Sequence, residues 1–346
     1  MAGASYFDCL EILWDLSGGK IDVFENPLVR RMGEYIADVH ITEDLYVNFA
    51  DASHRLSLDA ALIARYGRRT GSARLNAFAK ELAERSDFHA TRIGTGTTPY
   101  RTFRGSIEPL PEASDSKPET RTYYDGLEVF LARDEDTGLF LAAKGGHNAE
   151  SHNHNDVGNI VLFRGGHPVF IDAGVEQYTK KTFSAERYTL WTMRSRYHNL
   201  PDIAGCEQKP GGNHAASLVS AEEDSVTFRL DKAWPGEAGI RSYTRSSAMN
   251  GSVITVTDCL TLEREAPVCW YWMCAGKPEI AGDSLRFADA GCLVRFEGGN
   301  FALSAEPVVL EDRKLRNEWK CDTLWRVCLR CENWTDGVMK MTVSAE

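Results

Sequence analysis

The residues best suited to chemistry lie close together in the middle of the chain. Imidazole and carboxylate side chains at high local density can bind a divalent metal or move protons. Five of the nine histidines fall within about fifty residues, and four of them, His147, His152, His154 and His198, lie outside the Gly165-Gly166-His167 turn. Their types and spacing make this stretch the first candidate for a functional site.

A hairpin is predicted to bring a carboxylate beside these histidines. If the motif His152-Asn-His154-Asn-Asp156 is extended, its three ionisable side chains share one face, because strand side chains alternate. A strand, a Gly165-Gly166 turn and a second strand ending at Asp172 follow. Antiparallel strands joined by a turn place the end of the second beside the start of the first. Asp172 is therefore expected near His154, and Asp156 is expected to orient a histidine or to join the ligands.

Two imidazoles and one carboxylate are the ligands that an open zinc site needs. The spacing of the two histidines, the hairpin and the aspartate favours such a site. The alternative is that the histidines are loop residues bonded to the backbone.

Helices are predicted before this stretch, over residues 5 to about 90. Apolar residues recur at helical spacing in Pro27–Ile36, Arg55–Tyr66 and Ala73–Arg85. In the loop before the second of these, Asp51 or Ser53 either caps the following helix or faces a cleft. Residues 91–121 are rich in Thr, Gly, Pro, Ser and Glu, which is typical of a linker or a long crossing loop.

From residue 122 the apolar period becomes two, which predicts many short strands in a large antiparallel β-sandwich. The fold class is therefore α+β with two domains, residues 1–100 and 101–346. The predicted strands include 127–132, 139–143, 159–163, 168–171, 225–230, 252–257, 268–273 and 324–329.

Composition narrows the function classes. The net charge of −11 argues against general nucleic-acid binding, and no apolar run is long enough for a transmembrane helix. The first residues lack the pattern of a signal peptide, so the expected location is cytoplasmic, or periplasmic or secreted if a signal precedes this sequence. The nine cysteines are expected to be mainly buried free thiols. A basic patch that includes Arg187, Arg194 and Arg196 could still contact an anionic substrate.

The stretch as a whole resembles the heparinase II/III-like polysaccharide lyases. The resemblance is carried by His152-Asn-His154-Asn-Asp156, by the segment from Gly165-Gly166 to Asp172-Ala-Gly174, by Tyr178, and by Arg196-Tyr-His198-Asn199. It implies a partial α/α toroid followed by an antiparallel β-sandwich. In that family further catalytic residues come from earlier toroid helices, and this chain is expected to begin inside the toroid.

The resemblance also implies roles for individual residues. His154, Asp172 and His198 match the family's zinc ligands, and the zinc is expected to order loops. His152 matches the histidine that faces the substrate, as base or as neutraliser of the substrate carboxylate. The catalytic tyrosine is Tyr178 or its competitor Tyr188, and it suits proton transfer only if nearby cations lower its pKa. Candidate substrate contacts are Asn153, Arg187, Arg194 and Arg196.

The activity implied is β-elimination at a uronic acid of an acidic poly- or oligosaccharide. An enzyme must stabilise the charge that develops on the C6 carboxylate, remove the C5 proton and protonate O4 of the leaving sugar. Two alternatives stay open: a metal-dependent hydrolase that uses a zinc-bound water, and a non-catalytic carbohydrate-binding module. A second copy of the chain, forming a homodimer, is also left open as a partner.

Overall fold

The computed structural model describes residues 2–85, 98–109 and 116–346. The chain divides into two compact units, one made of Met1–His40 and Leu56–Glu119 and the other of Ile41–Arg55 and Thr120–Glu346. The expected division at residue 100 therefore falls inside the first unit. The short segment Ile41–Arg55 belongs to the second unit, although helices flank it on both sides in the sequence.

The described part of the chain contains six α-helices. The second and the fourth begin at the predicted residues. The bounds are α1 (Ala2–Leu16), α2 (Pro27–Asp38), α3 (Ala60–Thr70), α4 (Ala73–Arg85), α5 (Pro99–Ser106) and α6 (Arg313–Trp319).

Two helix predictions need correction. Helix α3 begins at Ala60 and not at Arg55, because the Asp59 carboxylate caps it by accepting from the Leu62 backbone N–H at 3.0 Å. The interpretation of Asp51 or Ser53 as the cap is therefore wrong. The predicted linker contains helix α5, and its residues 91–97 and 110–115 lie outside the described residues.

The described strands begin at residue 40 and continue to the end of the chain. They are β1 (His40–Thr42), β2 (Leu45–Tyr46), β3 (Arg121–Tyr124), β4 (Val129–Arg133), β5 (Leu139–Lys144), β6 (His147–Asn148), β7 (Ile160–Arg164), β8 (His167–Phe170), β9 (Pro201–Ile203), β10 (Gly211–Ala215), β11 (Ser217–Ala221), β12 (Ser225–Arg229), β13 (Ile240–Asn250), β14 (Val253–Cys274), β15 (Glu279–Ala281), β16 (Ser284–Phe287), β17 (Cys292–Glu297), β18 (Ala302–Val309) and β19 (Thr323–Ala345).

Two antiparallel sheets build the second unit. The larger has ten strands, with β11-β12-β13-β14-β19-β17-β16-β15 in order, β18 paired to β19 and β9 paired to β14. The smaller has the order β3-β4-β5-β7-β8. Both sheets contribute to one hydrophobic core, in which Phe170 of the smaller sheet meets Trp272 of the larger at a ring separation of 5.1 Å. The fold class is thus α+β, with a two-sheet core in the second unit.

Two strands of the larger sheet are much longer than predicted. The predicted strands 252–257 and 268–273 are parts of one 22-residue strand, β14. Its partner β19 has 23 residues and contains the predicted strand 324–329. The pairing register shifts between Thr261 and Ala266. A break in apolar alternation at this point made one strand resemble two.

The predicted hairpin is present. Strands β7 and β8 pair antiparallel, with Arg164 opposite His167. Gly165 and Gly166 have φ of 56° and 80°. Residues with side chains rarely adopt such left-handed conformations, so the two glycines permit the tight turn.

All nine cysteines are free thiols. Cys269, Cys274, Cys292 and Cys331 are buried, whereas Cys9 and Cys259 are exposed, so burial was overestimated. No helix in the described residues is long and apolar enough to cross a membrane.

Candidate active site

The histidine motif lies in a turn and not in a strand. His152 has a left-handed backbone with φ of 62°, so the expected alternation of side chains does not apply. The His152 side chain is 56% exposed, whereas that of His154 is fully buried. Both rings nevertheless reach one carboxylate. His152 Nδ1 lies 2.9 Å from Asp51 Oδ2, and His154 Nε2 lies 3.1 Å from Asp51 Oδ1.

Three fully buried side chains converge just after strand β8. His154, Asp172 and His198 each offer a ligand atom, and these atoms lie within 4.8 Å of one another. His198 Nδ1 is 3.3 Å from Asp172 Oδ2, to which Asn159 Nδ2 also donates at 3.0 Å. Burial raises the pKa of Asp172, but His198 and His154 outweigh burial and lower it overall, so the carboxylate is ionised. We call these three residues the buried triad.

Two nitrogens of the buried triad suit a metal. His154 Nδ1 and His198 Nε2 are buried and have no hydrogen-bond partner among the described residues. Such atoms are costly unless something satisfies them. The other nitrogen of His154 faces Asp51, which matches the usual pairing of a metal-bound imidazole with a carboxylate. Two imidazoles and a carboxylate form a donor set that fits zinc.

Asp51 is the centre of a second, solvent-facing cluster. Its Oδ2 accepts a hydrogen bond from Tyr178 Oη at 2.8 Å and also faces His152. Its Oδ1 accepts from Arg187 Nη2 at 2.8 Å and also faces His154. Burial raises the pKa of Asp51, but hydrogen bonds from His154, Tyr178 and His152 together hold it well below its usual range. An ionised carboxylate therefore joins the buried triad to the exposed pair His152 and Tyr178. We call Asp51, His152, Tyr178 and Arg187 together the Asp51 cluster.

Tyr178 differs in one respect from what the sequence suggested. Burial, and then the bond to Asp51, raise the pKa of Tyr178 to about 12, and Arg187 opposes this only in part. The condition of a pKa lowered by nearby cations is therefore not met. The phenol is 45% exposed, and its Oη lies 3.3 Å from His152 Nδ1. At neutral pH Tyr178 is a proton donor and not a base.

The loop that carries Asp51 is anchored at several points within the second unit. Asn48 Nδ2 donates to the backbone oxygen of Asp172 at 3.0 Å. The buried His54 ring stacks on Trp319 of helix α6, with ring centroids 3.9 Å apart. Arg55 Nε donates to the Glu318 backbone oxygen at 3.0 Å. The short helix α6 thus helps to hold the loop against the strand end that supplies Asp172.

Arg187, Asn153 and Tyr188 support the Asp51 cluster. Arg187 Nε and Nη2 donate to the Asn153 backbone oxygen at 3.2 and 3.0 Å. Tyr188 Oη donates to the side-chain oxygen of Asn153 at 2.9 Å. Of the two competing tyrosines, Tyr178 is the one that the structure brings to His152.

Arg194 and Arg196 have other partners. Arg194 pairs with Glu207, and Arg196 pairs with Asp202 and Glu207. The structure does not bring either guanidinium to the Asp51 cluster.

Asp156 does not orient a histidine, contrary to expectation. Its Oδ1 accepts from Lys144 Nζ at 2.8 Å, and both side chains are buried. Lys144 Nζ also lies 3.7 Å from Glu150. Asp156 therefore neutralises a buried lysine.

With this geometry described, comparison with known proteins assigns the family. A family model described as "Heparinase II/III-like, C-terminal" matches residues 130–322, which is more than half of the chain. The chain belongs to the heparinase II/III-like family. The matched residues include the buried triad, His152 and Tyr178. No curated protein matches the chain.

Solved structures show the same fold as this heparinase II/III-like chain. A heparinase III has a TM-score of 0.67 and 15% identity, over 96% of this chain and 50% of that one. The heparan sulfate lyase HepC from Pedobacter heparinus has a TM-score of 0.65 and 14% identity, over 91% and 46%. A mutant chondroitin AC lyase from Streptomyces coelicolor A3 has a TM-score of 0.57 and 13% identity, over 99% and 52%. The chain spans about half the length of each of these proteins.

Sequence reasoning brought the buried triad together and left Asp51 as a helix cap or a cleft residue, but it did not predict that Asp51 contacts the histidines. Asp51 lies 101 residues before His152, in a loop between two helices. Nothing in the local pattern links that loop to the strands. One signal was usable. Asp59 is the better cap for helix α3 because it lies next to the apolar-periodic residues, and this leaves Asp51 without a local function.

Proposed function

We propose that this chain carries the catalytic centre of a polysaccharide lyase that cleaves an acidic polysaccharide at a uronic acid by β-elimination. The Asp51 cluster beside the buried triad carries this proposal. It provides a histidine and a tyrosine that are both exposed, adjacent and fixed by one ionised carboxylate. Family membership and the fold shared with heparin- and chondroitin-degrading lyases support the substrate class.

The Asp51 cluster can supply the base. An ionised carboxylate only accepts hydrogen bonds, so His152 Nδ1 must carry the proton that faces Asp51. His152 Nε2 is then left with its lone pair directed away from Asp51. A neutral imidazole held in one tautomer by a carboxylate is a suitable general base near neutral pH. We assign the removal of the uronate C5 proton to His152 Nε2.

The same cluster can supply the acid. Tyr178 stays protonated because its pKa is raised. Its hydroxyl lies 3.3 Å from His152 Nδ1, so both side chains can reach the same sugar unit. In the elimination the C5–H bond breaks, its electron pair forms the C4–C5 double bond, and the C4–O4 bond breaks. O4 takes a proton from Tyr178. Solvent then carries the C5 proton from His152 to the Tyr178 phenolate, which becomes neutral again.

Arg187 contributes positive charge next to the reacting groups. Its guanidinium is tied to Asp51 and to the Asn153 backbone oxygen. It can offset the negative charge that develops on the substrate carboxylate while it holds Asp51 in place. Arg194 and Arg196 would have to leave their acidic partners to act in this way, so Arg187 is the preferred anion contact.

Zinc is proposed at His154, Asp172 and His198. When bound there it would order the strand end and the histidine turn, because elimination needs no metal-activated water. Asp51 would then hold a metal ligand and the catalytic histidine at the same time. The helices of the first unit are proposed to be part of an α/α toroid, as in the longer family members.

The experiment is to incubate the chain with heparan sulfate, chondroitin sulfate, hyaluronan and alginate and to measure new ultraviolet absorbance from the unsaturated product. His152→Ala should abolish the signal. His167→Ala, which replaces an exposed histidine at the start of strand β8, is the matched control and should retain it. Cleavage without a double bond would indicate a hydrolase, and binding without cleavage would indicate a carbohydrate-binding module. Either outcome would overturn the proposal.

A further inference from the structure

An open pocket of about 350 Å³ lies in the second unit, and its lining includes Gln177, the residue before Tyr178. Its volume is at the lower end of the range for small-molecule sites. It is lined by Arg55, Gln177, Arg313, Lys314, Asn317 and Glu318. Four of these side chains belong neither to the Asp51 cluster nor to the contacts that anchor its loop: Gln177, Arg313, Lys314 and Asn317.

The pocket wall is continuous with the backbone that carries the proposed acid. Gln177 immediately precedes Tyr178, and its backbone N–H donates to Asp312 Oδ2 at 3.1 Å. Lys314 Nζ donates to the Val175 backbone oxygen at 2.8 Å. Helix α6 is therefore fastened along the segment that leads to Tyr178. A chain of sugars bound at Tyr178 could reach this pocket with an adjoining unit.

The pocket has more positive than negative charge. Its lining contains three cations, Arg55, Arg313 and Lys314, and one acid, Glu318. The Glu318 carboxylate lies 3.8 Å from His54 Nδ1 and 3.9 Å from Lys314 Nζ, so it offsets the charge of Lys314 and leaves Arg313 unpaired by it. Burial raises the pKa of Glu318, but bonds from His54 and Ser53 outweigh burial and lower it.

The acids nearest to the pocket are already engaged. Asp44 accepts from Arg55 Nη1 at 2.6 Å. Asp312 accepts from the backbone N–H groups of Leu315 and Gln177. Glu176 accepts from Trp191 Nε1 at 3.1 Å. None of them is recorded within ion-pair distance of Arg313.

Arg313 is the cation that remains available. Its side chain is exposed, and within the described residues no ion pair is recorded for it. The amides of Gln177 and Asn317 are exposed on the same pocket and can also donate. A guanidinium flanked by amides matches the planar oxygens of a carboxylate or a sulfate.

We propose that this pocket is a subsite for the anionic group, carboxylate or sulfate, of a sugar unit next to the one that is cleaved. Arg313 is its principal contact, supported by Lys314, Gln177 and Asn317. This inference rests on the proposed function for the identity of the ligand. It explains how a chain with a net charge of −11 can hold a polyanion, since the attraction is local.

The test compares Arg313→Glu with Arg316→Glu in the full chain. Arg316 lies on the same helix and is exposed, but it does not line the pocket, so it is a matched control for bulk charge. Binding of heparan sulfate and of unsulfated hyaluronan hexasaccharides is measured by calorimetry at two salt concentrations. KM and kcat are measured from the unsaturated product.

Arg313→Glu should weaken binding and raise KM about tenfold, leave kcat unchanged and reduce the dependence of affinity on salt. Arg313→Ala should weaken binding about threefold to fivefold, as expected for one partly exposed ion pair. Arg316→Glu should change affinity less than twofold. An effect confined to heparan sulfate would identify the anion as sulfate, and an equal effect on hyaluronan would identify it as carboxylate.

Equal losses for Arg313→Glu and Arg316→Glu would overturn the subsite, because they would reflect general charge. Product formation with an unchanged KM in Arg313→Glu would overturn the subsite and leave the lyase proposal standing. Binding that depends on Arg313 without any unsaturated product would retain the subsite and refute the lyase proposal.

Discussion

Replacing Asp51 by asparagine tests the central carboxylate of the site. Asp51 is 5% exposed and faces four hydrogen-bonding groups at 2.8 to 3.1 Å. Asparagine keeps one acceptor oxygen but turns an NH₂ group toward donors that had faced the other oxygen. About half of the contacts are lost, and each charge-assisted bond contributes roughly 1.5–3 kcal/mol when buried. Two lost bonds should therefore lower the free energy of unfolding by about 3–6 kcal/mol.

The effect on catalysis should be larger. Without an ionised acceptor, His152 is no longer held with its proton on Nδ1, so the population with a free Nε2 lone pair falls. Tyr178 and Arg187 lose their common anchor at the same time. General acid–base catalysis typically contributes 10²- to 10⁴-fold. We expect Asp51→Asn to lower kcat by about that factor with little change in KM.

The assay is unsaturated-product formation by the purified variant, together with urea unfolding. Asp44→Asn is the matched control in the same segment Ile41–Arg55, because Asp44 pairs with Arg55 at the surface and does not contact His152. That control should lose at most about 1 kcal/mol of stability and keep full kcat. A folded Asp51→Asn variant with kcat within twofold of the parent chain would refute the assignment.

Three further predictions concern the surroundings of Asp51. Trp319→Ala removes the ring stacked on His54 and should lower kcat at least tenfold with KM unchanged, while Trp319→Phe restores most of it; equal kcat in both variants would contradict the positioning role. Tyr178→Phe should lower kcat at every pH below the phenol pKa of about 12, and far more than Tyr188→Phe does; equal losses would contradict the choice of acid. Removing metal with a chelator should lower the melting temperature. Adding zinc at a hundredfold excess over its Kd should restore about 2.7 kcal/mol of the free energy of unfolding. If the chain is first shown to contain metal, a melting curve that the chelator leaves unchanged would refute a structural zinc.

The buried triad could be predicted because its geometry is short-range. A two-glycine turn between two apolar strands fixes the register of β7 and β8, and that register carries Asp172 back toward the histidine turn. His198 was assigned as the third member from the family resemblance and not from the hairpin. The same reasoning failed for the motif itself, since His152 adopts a left-handed turn that alternation cannot describe.

The rest of the site depends on contacts between residues far apart in the sequence. Asp51 meets Arg187 across 136 residues, and Arg55 meets Glu318 across 263. Local periodicity says nothing about such pairs. The long strands β14 and β19 were divided for a related reason: each changes its pairing along its length, so the apolar pattern is interrupted although the strand continues.

The order of synthesis gives the segment Ile41–Arg55 a particular history. It is synthesised before its anchors in the histidine turn and in helix α6. At 5–20 residues per second, Arg187 follows Asp51 by roughly 7 to 27 s, and Glu318 is later still. During that interval the segment has none of these partners, and its carboxylate and His54 are open to water. The contacts of the Asp51 cluster can form once residue 198 has been made, whereas the helix α6 anchors of its loop wait until most of the larger sheet has been synthesised.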